Sequence, residues 1–244
     1  MALSEVLQRQ LPFLAKLIDT ALPLSIQVHP DDDAPRGVLG KEEAWVILDA
    51  EPTSELLVGL RPNVSGGEIE AAIRTAATDP NGHLLLQSLM HRIPARRGTV
   101  VIIPAGMIHS IGAGILLAEI QQPTDCTFRL HDYGSGRELQ VQDGLAALVP
   151  SAQPLLRLPG ETPAQLRGKH LTLDIFGPGT HRCTRAADQL LVALETACSV
   201  RVDGELHSIP PNSLRLVLGG HEIIADVPAG GTIVVGSAGA LPRA

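Results

Sequence analysis

A chain of 244 residues with 44% hydrophobic and 18% charged residues has the balance of a globular protein able to bury one large core or two small ones. Its formal net charge of −7 disfavours a general nucleic-acid binder, because phosphate contacts need a basic face, and 2% aromatic residues are too few for platforms that stack on single strands. No apolar run reaches the roughly 18 residues of a membrane span, and Cys126, Cys183 and Cys198 are too scattered for a disulfide framework or a thiolate metal site.

The opening residues mix Glu5, Arg9 and Lys16 into an apolar pattern. They hold no uninterrupted core of a secretion signal, so a cytoplasmic location is expected. Leu7, Leu11, Leu14 and Ile18 fall at helical spacing over residues 4 to 18, interrupted by Pro12. Short β-like runs follow in LPLSIQVHP, EAWVILDA and ELLVGL, divided by turn-rich text such as DDDAPRG. Residues 66 to 92 predict a helical segment carrying Ile69, Ile73, Leu84, Leu85 and Leu89, broken near Pro80-Asn81-Gly82. Strand signals return in GTVVIIPAG, GILLAEIQQ and CTFRLHDYG.

Between about residues 140 and 168 the chain turns rich in Pro and Ala, which predicts a helix and then a linker. Beyond it lies a second β-rich unit with Asp203-Gly204 as a hairpin turn. Many short strands divided by Gly and Pro argue for barrels or sandwiches, mainly β. The expected division is 1–150, with the helical insertion around 66–92, followed by 168–244.

Chemistry concentrates in the first unit. Ser25, Gln27 and His29 alternate with aliphatics, so they share one face of a strand turned towards water or a polar cavity. Glu43 leads an apolar strand, and His109 follows a Pro-Ala-Gly turn that ends another. Each alone fits an ordinary polar or hydrogen-bonded residue. Together they offer nitrogen and oxygen ligands of the kind zinc accepts, although an amide such as Gln27 is an uncommon zinc ligand.

Gly98-x5-Pro104-x-Gly106-x2-His109 resembles the second motif of cupins, in which a turn delivers a metal-binding His into a small β-barrel. A sharper resemblance is to the type I, zinc-dependent mannose-6-phosphate isomerases (phosphomannose isomerases). It is carried by LPFLAKLID at 11–19, LSIQVHPDD at 24–32, GKEEAW at 40–45, IPAGMIHSIG at 103–112, LLAEIQQPTDCTFRLHDYG at 116–134 and RELQ at 137–140. Phe128 and His131 stand where the family usually has tyrosines.

That resemblance implies a cupin-type β-barrel (jelly roll) with a helical insertion and a second, smaller cupin-like unit. That unit is expected to carry no metal, because His170, His181, His207 and His221 stand in no His-x-His or Pro-x-Gly-x2-His setting. The resemblance implies reversible isomerisation of mannose 6-phosphate and fructose 6-phosphate, with one Zn2+ per chain held by Gln27, His29, Glu43 and His109. It places Arg129, Glu119 and Lys41 in catalysis and Ser25 and Lys16 in substrate binding. Zinc would polarise the sugar carbonyl and stabilise an enediolate, Glu119 would shuttle the proton, and Arg129 would hold phosphate or developing oxyanion charge. Outside the resemblance, Lys41 and Arg129 suit solvent-exposed positions and Glu119 a cross-strand salt bridge.

Relatives carry a substantial stretch before the LPFLAK block. Its absence here predicts zinc binding with weakened isomerisation, and an uncovered sheet edge that favours a homodimer. The expected partner is a small sugar phosphate, with neither nucleic acid nor membrane. Two rivals stay open: a different metal-cupin enzyme such as an iron oxygenase, and a non-catalytic sugar-phosphate-binding cupin.

Overall fold

The computed structural model describes residues 9–33, 38–79, 81–161, 164–184, 186–219 and 221–239. Four antiparallel sheets account for most of it. The first has the order β1 (Leu14–Thr20), β8 (Ile115–Gln121), β3 (Glu43–Ala50), β6 (Val100–Ile103), β10 (Leu155–Arg157). The second has the order β5 (Met90–Pro94), β4 (Glu55–Leu60), β7 (His109–Ile111), β2 (Ile26–Val28), β9 (Phe128–His131). Sheet membership then changes between Arg157 and Gln165. The third sheet runs β11 (Gln165–Arg167), β12 (Leu171–Phe176), β19 (Ile233–Ala238), β14 (Gln189–Ala193), β17 (Ser213–Val217). The fourth runs β13 (Gly179–Thr184), β18 (Glu222–Val227), β15 (Cys198–Val202), β16 (Glu205–Ile209).

The N-terminal helix expected over 4–18 is not found where the structure describes it. Leu7 lies outside the described residues, and Leu14–Thr20 form β1, all seven paired with β8 from Leu14↔Gln121 to Thr20↔Ile115. Leu14 and Ile18 are four apart, a spacing that serves a helix and a strand equally. Leu17 decides the matter, because it is 55% exposed while Leu14, Lys16 and Ile18 are half-buried, a period of two.

The helical insertion is shorter than expected. Helix α1 (Gly66–Thr78) opens on a capping box, with Ser65 Oγ accepting from the Glu68 amide at 3.2 Å and Glu68 Oε2 accepting from the Ser65 amide at 2.9 Å. It buries Ile69, Ala72, Ile73 and Ala76 against Ile26, Val28 and Leu130 on the outer face of the second sheet. Helix α2 (His83–Ser88) follows, and the chain then extends as β5, where edge pairing to β4 outweighs helical patterning. Pro80 lies outside the described residues. Helix α3 (Val141–Ala147) agrees with expectation, whereas the linker after it includes the short strands β10 and β11, which join different sheets.

Strand β3 is buried on both faces, which explains its unbroken apolar text. Trp45 and Ile47 point between the first two sheets, packing with Leu56, Val58, Val101, Ile103 and Leu117. Ala44, Val46 and Leu48 point the other way, into a core shared with Leu171, Leu173, Leu190 and Val234 of the third sheet. A further core, including Leu191, Val200, Ile223 and Val235, fills the space between the third and fourth sheets. Leu173 is 1% exposed in the shared core. Leu173→Ala should therefore lower unfolding stability by about 2–5 kcal/mol, read as a shift of the urea midpoint. Among the described residues no helix is long and apolar enough to cross a membrane.

Candidate metal centre

Strand pleating and one tight turn build the site. Glu43 shares the inward face of β3 with Trp45 and Ile47, because alternate residues of a strand point the same way. On the facing sheet Gln27 pairs directly with His109 on one side and with Arg129 on the other. Directly opposed residues of antiparallel strands project to the same face, so His109, Gln27 and Arg129 form a row. The Pro-Ala-Gly turn sets the height of His109. Gly106 has φ +80°, and a Cβ there would meet Val149 Cγ2 at 2.5 Å. Its amide donates to the His29 carbonyl at 2.8 Å, tying the two histidine-bearing segments together.

Both imidazoles are oriented by backbone. His29 Nδ1 lies 3.0 Å from the Cys126 carbonyl, and His109 Nδ1 lies 2.8 Å from the Met107 carbonyl. A carbonyl only accepts, so each Nδ1 carries the proton and each Nε2 presents a lone pair. Those two Nε2 atoms face Glu43, at 3.2 Å from Oε2 for His29 and 3.3 Å from Oε1 for His109. All three side chains are buried, and their ligand atoms lie within 4.8 Å of one another.

Three acceptors converging in a buried space repel unless a cation lies among them. Lys41 supplies one positive charge, with Nζ 2.7 Å from Glu43 Oε2 and 3.0 Å from His29 Nε2. Even so, neither Glu43 oxygen completes a well-formed hydrogen bond. A divalent metal fits this donor set of two imidazole nitrogens and one carboxylate. Gln27 lies alongside, Nε2 at 3.2 Å from His109 Nε2 and Oε1 accepting from Ser25 Oγ at 3.0 Å. A half-turn of the amide keeps its shape, brings the oxygen beside His109, and lets Ser25 Oγ accept instead of donate.

Charge states follow from burial. Desolvation pushes His109 down to about 3 and lowers His29 as well. Burial alone would raise the Glu43 carboxyl, but the Lys41 ammonium beside it, together with the two facing imidazoles, holds it well below the usual range. A histidine whose folded pKa lies below its ordinary 6.5 is disfavoured in the fold once protonated, so the unfolded chain binds more protons between pH 6.5 and about 3. Metal-free protein should lose stability across that window as pH falls, and His109→Gln should flatten the loss. Urea midpoints at pH 7 and pH 5 check this.

Beside the cluster, Glu119 is 4% exposed on the inner face of β8. Its Oε2 accepts from Trp45 Nε1 at 3.2 Å, and its Oε1 lies 3.1 Å from Lys16 Nζ. Burial, then the Glu43 charge, raises its carboxyl. Lys16 also donates to Gln121 Oε1 at 2.6 Å. The cross-strand salt bridge expected of Glu119 is thus present, but it sits inside the site. Lys41 is 4% exposed, which overturns a solvated role for it. Arg129 is half-buried, and its Nε is buried with no partner among the described residues.

Sequence reasoning missed Trp45 and Gln121. Trp45 meets the His109 ring edge-on at 5.6 Å and donates to Glu119. Its place two residues after Glu43, as the only tryptophan in the chain, was the available signal.

Residues 1–44 match the family model described as phosphomannose isomerase type I, catalytic domain. The chain is 35% identical over 148 residues to the probable mannose-6-phosphate isomerase GmuF of Bacillus subtilis, covering 57% of this chain and 44% of that protein. It therefore spans less than half the length of that relative. The crystal structure of the mannose 6-phosphate isomerase from Bacillus subtilis superposes with TM-score 0.70 at 24% identity, covering 93% of this chain and 75% of that one. A mannose 6-phosphate isomerase bound with zinc and yttrium superposes with TM-score 0.67 at 15% identity, covering 97% and 82%. These superpositions show the shared cupin fold.

Proposed function

We propose that this chain, a relative of the type I phosphomannose isomerases, interconverts mannose 6-phosphate and fructose 6-phosphate at a zinc site formed by His29, Glu43, His109 and the Gln27 amide oxygen. The observation that carries the proposal is the convergence of three buried acceptors beside a buried carboxyl and an unpaired guanidinium edge. Aldose–ketose exchange needs a proton removed from the carbon beside a carbonyl and returned to its neighbour. A bound zinc supplies Lewis acidity towards that carbonyl.

The remaining work falls to side chains. Glu119, its carboxyl raised by burial, accepts a proton from one carbon and, after exchange with solvent, returns a proton to the next. Trp45 and Lys16 hold its two oxygens and fix its direction. Arg129 keeps a fixed fork of donors in the row beside Gln27, suited to a phosphate or to developing oxygen charge. Lys41, buried among the acceptors, adds a second cation at the same place. Ser25 holds the amide of Gln27 beside the cluster.

Zinc-loaded protein in a coupled assay should convert mannose 6-phosphate to product, with about one zinc per chain by elemental analysis. Binding of the sugar phosphate without turnover would replace this proposal with a non-catalytic sensor. Oxygen uptake by an iron-loaded form would replace it with a metal-dependent oxygenase.

A further inference from the structure

The GKEEAW block contains two adjacent glutamates, and the metal centre uses only the second. Glu42 is 2% exposed, yet it lies on the opposite face of the chain from Glu43, as strand alternation requires. Its carboxylate turns away from the metal centre and into the turn between β11 and β12. There Oε2 accepts from the Lys169 amide at 2.9 Å, and Oε1 accepts from the amides of His170 at 2.9 Å and Leu171 at 2.8 Å. A buried carboxylate holding three backbone amides is a strong, directional joint, because hydrogen bonds to a charged acceptor exceed neutral ones.

The same segment is braced from its other side. The Glu42 amide donates to Gln122 Oε1 at 2.8 Å, and the Gln122 amide returns to the Glu42 carbonyl at 3.0 Å. Gln122 Nε2 and the Gly40 amide both donate to Asp32 Oδ1, at 3.2 and 2.7 Å. Asp32 Oδ2 in turn lies 2.9 Å from His170 Nε2. The three-residue segment Lys41-Glu42-Glu43 is therefore pinned through its middle residue, and the residues on either side are the ones that reach the metal centre.

We infer that Glu42 is a positioning residue, through which the loop at 168–171 fixes the placement of Glu43 and Lys41 in the metal centre. The inference rests on the metal reading of His29, Glu43 and His109 given above. Gly168 supplies an independent handle from the far side of the contact. Its backbone is not left-handed, so alanine is sterically allowed by φ, but a Cβ there would lie 2.7 Å from Glu42 Cδ and 2.8 Å from Oε2. Alanine at 168 would displace the carboxylate while leaving Glu42 itself in place.

Zinc affinity by competition with a chromophoric chelator, and the visible spectrum of the cobalt-substituted protein, test this on the full chain. Loss of a group that orients a metal ligand typically weakens binding by 10- to 100-fold. Glu42→Ala and Gly168→Ala should each weaken zinc by roughly that factor and alter the cobalt spectrum. Glu42→Gln, which can keep the two hydrogen bonds at Oε1, should fall between them and wild type, and it carries the test if the alanine variant does not fold. Val200→Ala, in the separate core between the third and fourth sheets, should lower stability while leaving zinc affinity and the cobalt spectrum as in wild type. Wild-type zinc binding with Glu42 and Gly168 variants no different from Val200→Ala would overturn the inference alone. A wild-type chain without a tight zinc site would remove the metal reading and this inference with it.

Discussion

His109→Ala should yield folded protein with almost no zinc and no measurable isomerisation, while wild type prepared alongside holds about one zinc per chain. His109 is 1% exposed, its Nδ1 is committed to the Met107 carbonyl, and its Nε2 lies 3.3 Å from Glu43 Oε1. Removing it takes away one of the two imidazoles that face Glu43 and opens a polar hole beside that carboxylate. A site reduced to one histidine, one carboxylate and an amide oxygen, an uncommon zinc ligand, should hold the ion far more weakly than the full set. Because isomerisation would depend on the ion's Lewis acidity, activity should fall with the metal by about a thousandfold or more. Elemental analysis and the coupled assay on the same preparation read both quantities. Retention of stoichiometric zinc by the variant would remove His109 from the ligand set.

Arg129→Ala and Glu119→Gln should each lower kcat by about a hundredfold or more while leaving zinc content near that of wild type. The separation is expected because neither side chain reaches the converged acceptors. Glu119 is held by Trp45 and Lys16, and Arg129 projects from β9 in the row beyond Gln27. Glu119→Gln preserves shape and an acceptor for Trp45 but cannot take up a proton. Arg129→Ala removes the guanidinium, with its buried unpaired Nε, and leaves the Gln140 contacts of its backbone intact. If Arg129 holds the phosphate, KM should rise as well; if it faces developing oxygen charge, the loss should fall on kcat alone. Wild-type turnover in either variant would remove that residue from catalysis.

How much of this was legible depended on whether a signal was local. The same-face placement of Ser25, Gln27 and His29 follows from period-two alternation, and all three reach the site. The turn before His109 was legible because glycine and proline punctuate the chain, and Gly106 does take the positive φ such a turn needs. The first strand was not, since Leu14 and Ile18 sit at a spacing shared by both periods and the pairing to β8 is more than ninety residues away in sequence. Residue pattern alone suits Lys41 to solvent, because a lysine in a polar stretch is usually solvated, and only the family resemblance places it in the site. Its burial beside Glu43 and His29, which come from separate segments, is something no local pattern reveals. Glu42 shows the same limit: its three amide partners lie about 127 to 129 residues further along the chain.

The central claim is that this metal centre moves a proton between adjacent sugar carbons, and isotope incorporation reads that step directly. Fructose 6-phosphate turned over in D2O by zinc-loaded protein should give mannose 6-phosphate carrying deuterium at its second carbon. The metal-stripped protein should give none until zinc is restored, and Glu119→Gln should incorporate far less while still holding zinc. Product that forms at the same rate from metal-free protein, or with undiminished deuterium from Glu119→Gln, would contradict the account.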